Sequence, residues 1–153
     1  MIELITNIGL LSAVMYLLIL LYLIIGIIRT KTELTDEQPF VSVIVAAHNE
    51  AQNIKACLDA LLNQDYSQGK MEIIIVNDRS EDDTGLIVNK YEKNNTLIRI
   101  LTISDCVLGL SPKKNALTHG INIANGEIIA VTDADCRAPI QWLKRGVSYF
   151  TPE

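Results

Sequence analysis

The chain has 153 residues, with 18 Asp and Glu against 13 Lys and Arg and a formal net charge of −5. That balance argues against nucleic acid as a partner, because phosphate-backbone binding is driven by clustered Lys and Arg. Cys57, Cys106 and Cys136 are odd in number and irregularly spaced, which fits neither a disulfide framework nor a zinc site; in a reducing cytoplasm they read as small buried hydrophobes.

From Leu4 to Ile28 no residue is charged, and most positions are Leu, Ile, Val or Met. At about 1.5 Å per residue, a helix of this length covers a hydrocarbon core of roughly 30 Å. A cleaved signal peptide would need a basic segment ahead of a shorter apolar run, and a small-residue cleavage site. Here Glu3 precedes the run and Ile25-Gly26-Ile27-Ile28-Arg29 offers no convincing site, so 4–29 reads as a transmembrane anchor. Arg29 and Lys31 follow the span while no side-chain cation precedes it, which places the remainder in the cytoplasm by the positive-inside rule. Residues 30–38 are polar and lead to Pro39, as a short linker would. The stretch 39–153 is enough for one small domain or for part of a larger one.

Phe40 to Ala47 is a nearly continuous apolar run rich in β-branched residues, the pattern of a strand buried on both faces. His48-Asn49-Glu50 follows, with Asn49 as a candidate cap for a helix whose Ile54, Leu58, Leu61 and Leu62 share one face. Met71 to Val76 predicts a second buried strand, closing on Asn77-Asp78-Arg79-Ser80, and the acidic turn Glu81-Asp82-Asp83 suits the start of a second helix. Thr96 to Ile103 predicts a third strand. Ser111-Pro112 reads as an N-cap followed by proline at the first helical position, with Ala116, Leu117, Gly120, Ile121 and Ala124 on the buried side. Asn125-Gly126 ends that helix, and the apolar run Glu127-Ile128-Ile129-Ala130-Val131 leads as a strand into Thr132-Asp133-Ala134-Asp135. Pro139 opens a last helix with Ile140, Leu143, Val147 and Phe150 on one face; Trp142 reads as packing on it.

Alternation of strand and helix predicts an α/β, Rossmann-like fold: a mainly parallel sheet with helices on both faces, preceded by one transmembrane helix. Ligands of such sheets sit beyond the carboxyl ends of the strands. The clusters His48-Asn49-Glu50, Asn77-Asp78-Arg79-Ser80 and Asp133-Ala134-Asp135 fall at those ends and are expected to converge on one cleft.

An apolar strand ending in two carboxylates presents paired hard oxygen ligands at the edge of a sheet. That suits Mg²⁺ or Mn²⁺ shared with a substrate's phosphates, although a pair of solvated loop acids is the plainer alternative. No glycine-rich turn follows the first strand, so neither a dinucleotide fingerprint nor a P-loop is present. Lys113 and Lys114 in a first helical turn oppose the helix dipole; they either point into water or meet an anion such as a diphosphate there. Asp78 either caps its turn or accepts a hydrogen bond from a nucleobase N–H. His48 and His119 read as satisfied surface or turn histidines.

The segments Val41-Ser42-Val43-Ile44-Val45-Ala46-Ala47-His48-Asn49-Glu50, Ile75-Val76-Asn77-Asp78-Arg79-Ser80, Lys113 with Ala116-Leu117, and Thr132-Asp133-Ala134-Asp135 resemble, in that order, the family 2 glycosyltransferases. The resemblance covers about residues 39–151. It implies the GT-A fold and transfer of a sugar, with inversion, from a nucleotide diphosphate donor, usually of uridine, to a saccharide or lipid acceptor. Together with the anchor it points to cell-envelope polysaccharide or glycolipid synthesis. By the same resemblance, the Ala47 and Glu50 region contacts the nucleoside and Asp78 recognises the base. Lys113 lies near the nucleotide, Asp133 approaches the ribose or a metal-bound water, and Asp135 binds the Mg²⁺ or Mn²⁺ that bridges the phosphates.

Inverting transfer needs a general base. The family's base lies well beyond the Asp pair, so it is expected past Glu153, and 39–153 reads as the donor-binding half of a larger enzyme. Gln141-Trp142-Leu143-Lys144-Arg145 has the letters of the family's Gln-x-x-Arg-Trp motif in the wrong order and place. The alternative reading is a truncated, non-catalytic module that binds nucleotide or a partner protein at the membrane. A sugar-phosphate nucleotidyltransferase would need a glycine-rich loop where Ala46-Ala47-His48-Asn49-Glu50 stands.

Overall fold

The computed structural model describes residues 2–29, 38–107 and 109–150. Apart from Gln38, the expected linker 30–38 lies outside the described residues. The chain forms two compact units, an N-terminal helix and an α/β unit.

Helix α1 spans Ile2–Arg29, and its stretch Ile5–Arg29 is long and apolar enough to cross a membrane. The leucines and isoleucines described along it are exposed within the chain.

The second unit runs β1 (Val41–Ala47), α2 (Ile54–Leu62), β2 (Met71–Asp78), α3 (Thr84–Asn94), β3 (Ile98–Ile103), α4 (Pro112–Asn122), β4 (Ile128–Asp133) and α5 (Trp142–Val147). Among the described residues, four strands form one sheet in the order β3-β2-β1-β4, and each of their pairings is parallel. The expected α/β fold is therefore observed. The chain steps outward from β1 to β3 and then returns to the other side of β1. The strand order thus reverses between β1 and β4, which is where a parallel sheet opens a crevice at its carboxyl edge.

Two apolar clusters sandwich the sheet. Val41, Val43, Val45, Ile73 and Ile75 pack with Ile54, Leu58 and Leu61 of α2, Val88 of α3, and Leu143 and Val147 of α5. Ile44, Ile74 and Val76 meet Ala116 of α4 on the other face. Gly120 permits that second contact: a Cβ there would lie 2.6 Å from Ile44 Cγ2 and 3.0 Å from Val76 Cγ2.

The sheet also carries buried polar groups that its apolar strands conceal. At the amino end of the strands, the Glu72 carboxylate accepts hydrogen bonds from Ser42 Oγ (2.6 Å), the Asn125 backbone N–H (2.7 Å), Asn125 Nδ2 and Arg99 Nη1 (3.2 Å). Gly126 N–H in turn donates to Ser42 Oγ at 2.7 Å. The turn before β4 is thus fastened to β1, β2 and β3.

Several local expectations need correction. Helix α2 starts at Ile54 after Asn53, not at an Asn49 cap, because Asn49 Oδ1 is taken up by the Glu81 N–H at 2.8 Å. The faces are not fully covered: α4 packs on β1 and β2, leaving Ile129 and Val131 of β4 37% and 42% exposed. Ile121, expected on the buried side of α4, is 47% exposed. Helix α5 begins at Trp142, after a turn in which Trp142 N–H donates to Pro139 O at 2.9 Å. Leu143 and Val147 are buried as expected, whereas Ile140 and Phe150 face outward.

Candidate functional site

At the carboxyl end of β1, Ala46 stands in register with Asp133 of β4, and Ala47 with Asn77 of β2. Small side chains here leave room between the strand ends. A cleft of about 330 Å³ opens, lined by Ala46, Ala47, His48, Glu50, Asp78, Pro112, Lys113, Ala116, Asp133, Ala134 and Asp135. Ala47, Glu50, Asp78, Lys113, Asp133 and Asp135, the residues singled out from the sequence, are all on its wall.

Two left-handed backbone positions shape the rim, Asn49 at φ 56° and Arg79 at φ 52°. Asn adopts this conformation more readily than other non-glycine residues, through local side-chain hydrogen bonding. Around it, Asn49 N–H donates to Ser80 Oγ (3.0 Å), Glu50 N–H to Thr84 Oγ1 (2.8 Å) and Ala51 N–H to Asp82 Oδ2 (3.0 Å). These bonds lace the loop after β1 to the loop after β2. Hydrogen bonds from the Thr84 hydroxyl and from backbone N–H groups hold the Asp82 carboxyl below its ordinary range.

At Arg79 the left-handed turn folds the guanidinium back on Asp78. Arg79 Nε donates to Asp78 Oδ1 at 2.7 Å and Nη2 to Oδ2 at 3.2 Å, a fork-on-fork pair. Asp78 is buried, and its backbone carbonyl is 2.6 Å from His48 Nδ1, so that nitrogen carries the ring proton in this arrangement. Asp78 is thus a largely buried, ion-paired carboxylate at the wall of the cleft. His48 is a satisfied turn histidine that also lines the cleft. The role of Arg79 has one signal in the sequence, an arginine directly after an acid at a strand end.

On the opposite wall Ser111 Oγ accepts the Lys114 N–H at 3.4 Å and Pro112 opens α4, the expected N-cap arrangement. Lys113 turns into the cleft and places Nζ 2.6 Å from Asp133 Oδ1. The hydrogen bond and charge of Asp133 raise Lys113 above its ordinary range, with the charges of Asp135 and Cys136 adding to the effect.

Asp133, Asp135 and Cys136 each offer a ligand atom within 4.8 Å of the others. Two rim carboxylates form a hard donor set that leaves coordination positions to phosphate and water, so Mg²⁺ or Mn²⁺ fits these residues. The burial expected of all three cysteines holds only for Cys57; Cys106 is half-buried and Cys136 is exposed beside the Asp pair. Cys57 donates to the Asp133 carbonyl at 3.6 Å. Burial, then the charges of Cys136, Asp135 and Glu50, push its thiol up to about 11, leaving it unreactive at neutral pH.

Comparison with known proteins agrees with this geometry. Solved structures with the same architecture include the mannosyltransferase PcManGT from Pyrobaculum calidifontis in complex with GDP-Man and Mn²⁺, with a TM-score of 0.70 and 27% identity over 82% of this chain and 37% of that one. S. aureus TarS 1-349 in complex with UDP-GlcNAc is a further neighbour, with a TM-score of 0.59 and 28% identity over 72% of this chain and 31% of that one. The sheet, its order and its carboxyl-edge cleft are those of a GT-A fold.

The Glycosyl transferase family 2 model matches residues 42–153, and the chain belongs to that family. Glycosyltransferase AglE of Haloferax volcanii is 39% identical over 115 residues, 75% of this chain and 36% of that protein. The chain thus spans little more than a third of the length of that relative.

Proposed function

We propose that this chain is the membrane-anchored, donor-binding part of an inverting glycosyltransferase that takes a sugar from a uridine diphosphate donor. The acceptor in this reading is an envelope saccharide or a lipid. The observation that carries it is the meeting of Asp78, Lys113, Asp133 and Asp135 around one cleft. Similar proteins bind GDP-Man with Mn²⁺ or UDP-GlcNAc, which supports a nucleotide-sugar donor.

In this reading Ala47 and Glu50 border the nucleoside, and Asp78, oriented by Arg79, accepts the base N–H. Asp133 and Asp135 hold the divalent ion, and Lys113 meets the diphosphate. The ion would supply Lewis-acid stabilisation of the negative charge that grows on the departing nucleoside diphosphate. Helix α1 anchors the unit, with Arg29 at the cytoplasmic face.

Calorimetric titration of the full chain, held in detergent, with uridine diphosphate tests the reading. Binding is expected to require Mn²⁺ or Mg²⁺ and to weaken by at least about 10-fold in Asp135→Ala, since even loss of a group that only supports a metal ligand costs about 10- to 100-fold. Metal-independent binding, or binding indifferent to Asp135→Ala, would overturn it.

A further inference from the structure

Among the described residues, Lys113 is the one Lys or Arg that lines the cleft, and it faces the carboxylate that the nucleotide reading assigns to a metal ion. Its Nζ lies 2.6 Å from Asp133 Oδ1, in a cluster whose Asp133, Asp135 and Cys136 ligand atoms fall within 4.8 Å of one another. A metal–oxygen bond is about 2.0–2.6 Å long, so an ion on the same carboxylate would sit against that ammonium. Two like charges cannot share one oxygen at such range without strong repulsion. The lysine is nevertheless free to leave: its side chain is 59% exposed, and it stands in the first turn of α4, where backbone N–H groups also favour an anion.

We propose that Lys113 is an exchangeable counter-ion, which occupies Asp133 in the free protein and moves to the diphosphate when metal and nucleotide arrive together. The inference rests on the nucleotide reading above. It makes metal and nucleotide mutually dependent, because the diphosphate draws away the ammonium that competes with the metal. Lys113 then acts with opposite sign in two equilibria. It weakens binding of metal alone and strengthens binding of nucleotide with metal. A lysine that merely supports the fold would not do both.

Free Mn²⁺ measured by electron paramagnetic resonance, on the full chain in detergent, separates the possibilities. Without nucleotide, Lys113→Met is expected to bind Mn²⁺ about three- to fivefold more tightly than wild type, the scale of an exposed ion pair. With saturating Mn²⁺, the same variant should bind uridine diphosphate more weakly by a similar factor. Lys113→Arg should stay near wild type in both measurements. In an Asp133→Asn background, Lys113→Met should no longer change the Mn²⁺ affinity. If Lys113→Met folds poorly, Lys113→Gln removes the same charge and carries the same expectations. Unchanged or weaker Mn²⁺ binding by the neutral variants, with Asp135-dependent Mn²⁺ binding intact in the wild type, overturns the inference and leaves the nucleotide reading standing. If no variant, wild type included, binds uridine diphosphate with Mn²⁺, the nucleotide reading falls and the inference falls with it.

Discussion

Glu72 shows how much one buried charge can organise. Burial pushes its carboxyl up, but the hydrogen bonds from Ser42, Asn125 and Arg99 together outweigh that and hold it below its ordinary range. A carboxylate depressed in the folded state stabilises the fold fully above its unfolded value of about 4.3 and loses that contribution as pH falls through the lower folded value. Urea midpoints should therefore decline as the pH drops below about 4.3, and that decline should be shallower in Glu72→Gln. At neutral pH, Glu72→Gln should cost about 1–3 kcal/mol, because Ser42 and the Asn125–Gly126 turn lose a charged acceptor. Nothing in the alternation around Met71–Val76 marks Glu72 as buried; it becomes so only because Ser42, Arg99 and Asn125 arrive from other strands and turns. Arg79 was hidden for a similar reason. Its guanidinium reaches Asp78 through a left-handed backbone that no residue type in the motif demands.

At the scale of elements, α4 connects the fold to the site, since the helix that carries Lys113 at its start also carries Gly120 against the sheet. Ile44 and Val76 are β-branched and stiff at χ1, so they cannot swing away from an added methyl group 2.6 Å from Ile44 Cγ2. Gly120→Ala is expected to destabilise the protein by about 1–3 kcal/mol in chemical denaturation, as overpacking does. It should also weaken nucleotide binding by displacing the start of α4; unchanged stability and unchanged binding would show that the helix can shift without consequence. Strands β1 and β2 were legible because an element buried on both faces must be apolar at every position. Strand β4 looks the same in sequence yet lies at the edge of the described sheet with Ile129 and Val131 exposed, because α4 packs chiefly on β1 and β2. The late start of α5 has a local cause, the turn that joins Pro139 to Trp142.

For the whole molecule, α1 is the feature that composition alone defines: its stretch Ile5–Arg29 is long and apolar enough to cross a membrane. In the proposed topology, which puts Arg29 at the cytoplasmic face, protease added to sealed inside-out vesicles should digest the α/β unit, and protease added to right-side-out vesicles should spare it. The reverse pattern would invert the proposed topology. The amino-acid sequence by itself determined the alternation of strands and helices, the family and the residue types at the strand ends, because periodicity, capping and motif order are local properties. Only the tertiary structure decided that Lys113 faces Asp133, that Arg79 grips Asp78 and that Glu72 ties three strands together. Each of those pairings depends on the return of β4 to the far side of β1 or on a single backbone angle, and neither is written in any short stretch of residues.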